Sequence, residues 1–333
     1  MRAVVHVGFH KTGTTTLQYQ LFPQLPGVVL LTRTPHHGPP GYVEFAKGLC
    51  KFDADRFDAA GLRAYLERVA PEEPGTLLLS DEGISGIPYL GTHLRAESTG
   101  RVATLLPEAR VLIGIRSQAT MWRSLYSDYV NTGGYRSFAA FAADADPGYR
   151  FELDYLRYDR FIEAYHERFG PDRVKVVAYE QLGSDPVAYM REVAAFVLEG
   201  SGLDVPALEP LAVTNASLSR WSRGLVRLRN RLFRTQPRYN PRPLLFDFPM
   251  RDLDRALRRF DPVVFSRSRS LSGHDARALA SLLPYYEEVN ARVVELTGLD
   301  LARYGYPLPP SAQREARIGA QSNADAAPTS GGT

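Results

Sequence analysis

The chain has 333 residues, 44% of them hydrophobic, a formal net charge of +3 and a single cysteine, Cys50. That length and apolar content suffice for a substantial buried core, and a lone cysteine excludes an intramolecular disulfide. No run of about eighteen apolar residues occurs, which excludes a membrane-spanning helix, and no signal-peptide pattern precedes the first apolar run, so a cytoplasmic protein is expected.

In chain order, Ala3-Val4-Val5-His6-Val7-Gly8 reads as a buried parallel strand. It feeds His10-Lys11-Thr12-Gly13-Thr14-Thr15-Thr16, where glycines permit tight turns and hydroxyls suit the start of a helix. A helix N-terminus presents N–H groups and partial positive charge, so the loop is a candidate cradle for a phosphate or sulfate. It is not a Walker A loop, because its lysine precedes the glycine instead of following it. The stretch from Thr34 to Lys51, rich in proline and histidine, is expected to be a long functional loop. Thr76-Leu77-Leu78-Leu79 is the next strand, and its carboxyl end delivers Ser80-Asp81-Glu82 to the rim that holds the anion loop.

Val111-Leu112-Ile113-Gly114-Ile115 is an all-apolar strand that ends at Arg116, with Ser124 eight positions later in the following helix. A guanidinium forks onto phosphate oxygens, and a serine two turns into that helix returns on the same face to add another bond. Gly133 to Asp154 is a second expected loop. Val174-Lys175-Val176-Val177-Ala178 is a further strand, followed by Tyr179-Glu180-Gln181-Leu182, and Asp185-Pro186 starts a helix in which Tyr189, Val193 and Phe196 recur at helical spacing. Asn215-Ala216-Ser217 precede a basic segment, 220–242, that carries eight arginines and no acid. Within it Trp221, Leu225, Leu228 and Leu232 place an apolar stripe on a helix reaching about Phe233. That helix is either packed or solvated, or it meets the phosphates of a ligand, an anionic glycan or a membrane-held acceptor. Nucleic acid is not an expected partner, since no interleaved aromatic stacking motif accompanies the arginines.

The loop at Lys11 after one strand, and Arg116 with Ser124 after another, resemble the donor-binding elements of sulfotransferases that use 3′-phosphoadenosine-5′-phosphosulfate (PAPS). The resemblance is to bacterial and carbohydrate members and implies an α/β fold: a mostly parallel central sheet flanked by helices on both faces, of the P-loop NTPase-like sulfotransferase type. It implies that Lys11, Thr12, Gly13, Thr14, Thr15 and Thr16 wrap the 5′-phosphosulfate, that Arg116 and Ser124 hold the 3′-phosphate, and that Tyr179 approaches the adenine. Asn215 and Ser217 resemble a late Asn-x-Ser phrase of such members and are further candidate donor contacts, although the Arg-Lys-Gly phrase of cytosolic members is not present. The histidine at position 10 is one that bacterial relatives often carry, either to help hold the sulfonate or to pack.

The implied reaction moves a sulfuryl group from PAPS to an acceptor hydroxyl or amine, with Lys11 neutralising charge on the leaving phosphate and no metal. Glu82 is the candidate base, Asp81 its nearest rival, and His36, His37 and His93 more remote ones. The alternative for Ser80-Asp81-Glu82 is a helix cap. A saccharide, glycolipid or small natural product fits as acceptor, and nothing in the pattern sets the oligomeric state. Residues 1–308 read as one domain, with 309–333 as a disordered tail rich in Ala, Ser, Gly and Gln. Two other classes remain open: a nucleotide-dependent kinase sharing the anion loop, and a non-catalytic nucleotide- or glycan-binding protein.

Overall fold

A computed structural model describes residues 1–33, 39–86, 88, 94–143, 152–210, 220–233 and 271–311. Five strands, β1 (Ala3–Gly8), β2 (Val28–Leu31), β3 (Thr76–Ser80), β4 (Arg110–Ile115) and β5 (Val174–Ala178), form one all-parallel sheet in the order β2-β3-β1-β4-β5. The helices are α1 (Thr14–Thr16), α2 (Tyr42–Cys50), α3 (Ala59–Val69), α4 (Arg95–Leu105), α5 (Gln118–Asn131), α6 (Phe138–Ala142), α7 (Tyr158–Phe169), α8 (Tyr179–Ser184), α9 (Pro186–Leu198), α10 (Arg220–Leu232), α11 (Gly273–Leu282) and α12 (Glu287–Thr297).

The strands read as unbroken apolar runs because both faces of the sheet are covered. Val5, Val7, Leu79, Val111 and Ile113 point into a core shared with α2, α4, α5, α7 and α12. Their neighbours Val4, Leu78 and Leu112 point the other way, against Leu17, Leu21 and the apolar side of α9. Since all five strands run in one direction, the segments that follow β1, β3, β4 and β5 emerge at a single rim. The chain builds outward from β1 to one side through β3 and β2, then crosses to β4 and β5 on the other. A crevice opens at such a switch, beyond the carboxyl ends of the central strands.

Three features differ from expectation. The edge strand β2 was not foreseen: at four residues it is too short to carry a periodic signal. The stretch from Thr34 to Lys51 is not one loop, because α2 occupies Tyr42–Cys50 and buries Tyr42, Phe45, Ala46 and Leu49 at helical spacing. Gly41, at φ 88, supplies the left-handed entry to that helix directly after the proline pair. Likewise, Gly133 to Asp154 contains α6, whose start is capped by Ser137 Oγ accepting from Ala140 N at 3.2 Å. His36, His37, His93, Asn215, Ser217 and residues 312–333 lie outside the described residues.

Candidate active site

The loop after β1 is shaped by contacts that leave no room for larger residues. A Cβ on Gly8 would lie 2.3 Å from Thr14 Oγ1, so glycine lets the first hydroxyl of α1 sit against the strand end. Phe9 N donates to Gly114 O at 3.3 Å, continuing the β1–β4 register by one residue. Thr12 directs both its N–H and its hydroxyl to Phe9 O, at 3.2 and 2.6 Å, which closes the turn. Lys11 adopts φ 70, an uncommon left-handed conformation for a residue with a Cβ, and Gly13 follows at φ 84. No side chain caps the start of α1, so the amides of its first turn have no side-chain acceptor and suit an anion. Thr14 Oγ1 is buried against the end of β1 and beside Glu82.

Arg116, at the end of β4, reaches this loop directly. Its Nη1 donates to Lys11 O at 2.8 Å, its Nε donates to Thr120 Oγ1 at 2.9 Å, and its guanidinium lies 4.4 Å from the centroid of the Tyr179 ring. Tyr179 also lies close to Gly13, where a Cβ would come 3.2 Å from the ring. Thr120, Ser124 and Asp128 stand four residues apart and share one face of α5. Thr120 touches Arg116, and Asp128 Oδ1 accepts from Lys11 Nζ at 2.6 Å. Ser124 therefore sits on the helix face between the two cationic side chains. Glu180 secures the same corner, accepting through Oε1 from Ser117 N at 3.1 Å and through Oε2 from Tyr306 Oη at 3.2 Å.

On the other side of β1, the His6–Ser80 register brings Asp81 and Glu82 to the loop. The two carboxylates have different environments. Asp81 is buried and accepts from Arg33 Nε at 2.8 Å, Tyr42 Oη at 2.8 Å and Gly83 N at 2.7 Å. Glu82 lines a recess of about 230 Å³ together with His10, Thr15, Gln18, Thr32 and Arg33. Burial pushes its carboxyl up to about 7; the charge of Lys11 opposes that push and Asp81 adds to it. Its side chain keeps 31% of its surface exposed, on the side that opens into the recess. Glu82 Oε2 lies 3.7 Å from His10 Nε2. Burial first, and then the charges of Lys11 and Arg33, push the His10 imidazole down to about 3. His10 is thus neutral near pH 7, its Nδ1 paired with Tyr155 Oη at 3.0 Å, and its contact with Glu82 is dipolar rather than an ion pair.

A model of the sulfotransferase family matches residues 3–199. The chain belongs to that family. No curated protein matches it. Among solved structures, this sulfotransferase is similar to a sulfotransferase from Alicyclobacillus acidocaldarius, with 21% identity over 63% of this chain and 87% of that one and a TM-score of 0.43. It is also similar to mouse sulfotransferase SULT7A1 complexed with PAP, with 14% identity over 88% of each chain and a TM-score of 0.42.

The matched span of this sulfotransferase contains Lys11, Glu82, Arg116, Ser124 and Tyr179, and the structure brings all five to one rim. Two residues at that rim were not anticipated. Asp128 is separated from Lys11 by 117 positions, and its only signal was its place four residues after Ser124 on the same helix. Arg33 immediately precedes the proline- and histidine-rich stretch, which gave it no pattern of its own. The cap that competed with a basic role for Glu82 is supplied by Asp81, the N-cap of the turn Glu82–Ser85. With three donors on its carboxylate, Asp81 is a structural anchor between the end of β3 and α2. Asp81→Ala is expected to destabilise the fold by about 3 kcal/mol, because it strands a cation, a hydroxyl and an amide. Chemical denaturation monitored by circular dichroism measures it, and an unchanged midpoint would remove the anchoring role.

Proposed function

We propose that this sulfotransferase uses PAPS as donor and transfers its sulfuryl group to a hydroxyl of a polar acceptor, with Lys11 stabilising the leaving phosphate and Glu82 acting as base. The observation that carries this is the 2.8 Å bond from Arg116 Nη1 to Lys11 O, which joins two segments 105 residues apart into one cradle. The chain's own groups fit the two charged ends of such a donor. Open amides at the start of α1 and the buried hydroxyl of Thr14 suit the sulfonated phosphate, with Thr15 and Thr16 on the same turn. Arg116 and Ser124 suit the 3′-phosphate, and the Tyr179 ring, already stacked by Arg116, suits the adenine.

In the proposed transfer a bond forms between the acceptor oxygen and sulfur while the bond from sulfur to the phosphate oxygen breaks. Glu82 takes the acceptor proton, and Lys11 offsets the charge that collects on the departing adenosine 3′,5′-bisphosphate. Lys11 leaves Asp128 to do so. His10, being neutral, contributes a hydrogen bond and no charge. The recess beside Glu82 is smaller than the roughly 300–1,000 Å³ of drug-sized sites, and its hydroxyl, amide and guanidinium lining supports a single saccharide-like ring at the reacting hydroxyl.

Titration calorimetry with adenosine 3′,5′-bisphosphate and with ATP, followed by transfer of radiolabelled sulfate from PAPS to an acceptor panel, tests this. Binding of the bisphosphate and labelled product are expected. Preference for ATP would favour a kinase, and binding without transfer to any acceptor would favour a non-catalytic protein. Arg116→Ala is expected to weaken bisphosphate binding by about 10- to 100-fold, the worth of one or two charged hydrogen bonds. Unaltered affinity in the same calorimeter would take Arg116 out of the donor site.

A further inference from the structure

The helix α10 is attached to the protein the wrong way round for its hydrophobic pattern. The two central members of its apolar stripe, Leu225 and Leu228, are 53% and 55% exposed. The side packed against α5 is polar instead. Asn230 is fully buried, and its Nδ2 donates to Val130 O and Gly134 O, both at 2.8 Å. Arg229 is buried and donates to Asn230 Oδ1 at 3.0 and 2.7 Å. Arg223 Nη1 lies 3.4 Å from Ser127 Oγ, and Arg227 Nε donates to Tyr135 O at 3.1 Å. Val226, between them, inserts into the main core. Turning the helix to bury its leucines would break both Asn230 bonds and take the buried Asn230 amide away from the carbonyls of Val130 and Gly134.

We propose that the outer face of α10 docks on the surface of an anionic phospholipid bilayer. The leucines ask for an apolar phase, while the surrounding sequence asks for negative charge: between Glu209 and Asp247 there are eight arginines and no acid, and five arginines remain besides the inward-packed Arg223, Arg227 and Arg229. A bilayer surface supplies both, acyl chains beneath and phosphate headgroups above. A polyanionic glycan would meet the arginines and leave the leucines in water. A second copy of the chain would cover the leucines and bring two arginine-rich segments together. No helix among the described residues is long and apolar enough to cross a membrane, so the contact lies on the surface. It also has a consequence for catalysis, because α10 packs on the same helix that carries Thr120, Ser124 and Asp128, and docking sets the donor cradle beside lipid-held acceptors.

Sedimentation of the full chain with phosphatidylcholine vesicles, and with vesicles also containing phosphatidylglycerol, tests the proposal. Binding to the second kind only is expected, weakening as salt is raised. The double change Leu225→Glu and Leu228→Glu is expected to reduce it at least about tenfold, and Leu225→Ser with Leu228→Ser by less. Both variants should melt at the wild-type temperature and bind adenosine 3′,5′-bisphosphate as the wild type does. The proposal is overturned if the wild type ignores anionic vesicles, or if the leucine variants bind them equally well. It is also overturned if the leucine changes instead abolish a dimer seen by sedimentation velocity without vesicles, or binding to heparin.

Discussion

Lys11→Ala is expected to lower sulfuryl transfer by about 10³-fold while changing the affinity for adenosine 3′,5′-bisphosphate far less. The expected split follows from which parts of Lys11 do what. Its main chain, held at φ 70, carries the carbonyl that Arg116 grips, and alanine preserves that carbonyl and the loop's amides. Only the ammonium is lost, and it alone can follow charge onto the leaving oxygen. Removing it also strips Asp128 of its 2.6 Å partner and leaves a carboxylate facing the cradle. The double variant Lys11→Ala with Asp128→Asn separates the two effects, since it should recover nucleotide affinity without recovering rate. Single-turnover transfer of labelled sulfate measures the rate, and near-normal turnover in Lys11→Ala would take the lysine out of the chemistry.

Most of the sheet was legible because its strands are buried on both faces, which turns β1, β3, β4 and β5 into short apolar runs, each followed by turn residues or a helical pattern. The loop and Arg116 were legible for a related reason: each follows such a run, and parallel strands release their carboxyl ends at one rim. The pairing of Lys11 with Asp128 was not, because an ion pair across 117 positions leaves no spacing to read. Asp81 and Glu82 stand adjacent in sequence, and which one is the anchor depends on where two neighbouring side chains point as an extended strand ends. Asp81 turns toward Arg33 and Tyr42, and Glu82 turns into the recess. The stripe on α10 was legible as a face, while its pattern left open whether that face packs or is solvated. Periodicity shows that a helix has two sides, whereas the buried Asn230 decides which side the protein holds.

Glu82→Gln is expected to cost about 10²- to 10⁴-fold in transfer rate and at the same time to make the protein more stable at neutral pH. A base must be ionised to work, and the folded carboxyl ionises at about 7 rather than the usual 4.5. The wild-type rate should therefore rise roughly tenfold per pH unit below 7 and flatten above it, and glutamine should abolish that limb. His10 cannot supply the limb, since its own proton is lost at about 3. Stability runs the other way. Between pH 4.5 and 7 the folded protein holds a proton at Glu82 that the unfolded chain has released, so the wild type loses stability as pH rises through that window. Glutamine carries no such dependence, and its advantage should grow across the window to about 1–2 kcal/mol and stay constant above it, the open edge of the carboxyl keeping the figure small. Denaturation midpoints and rates measured across one pH series decide both halves. A glutamine variant that keeps the acid limb, or whose stability advantage shrinks as pH rises, shows that the buried carboxyl at the mouth of the recess is not the group that takes the proton.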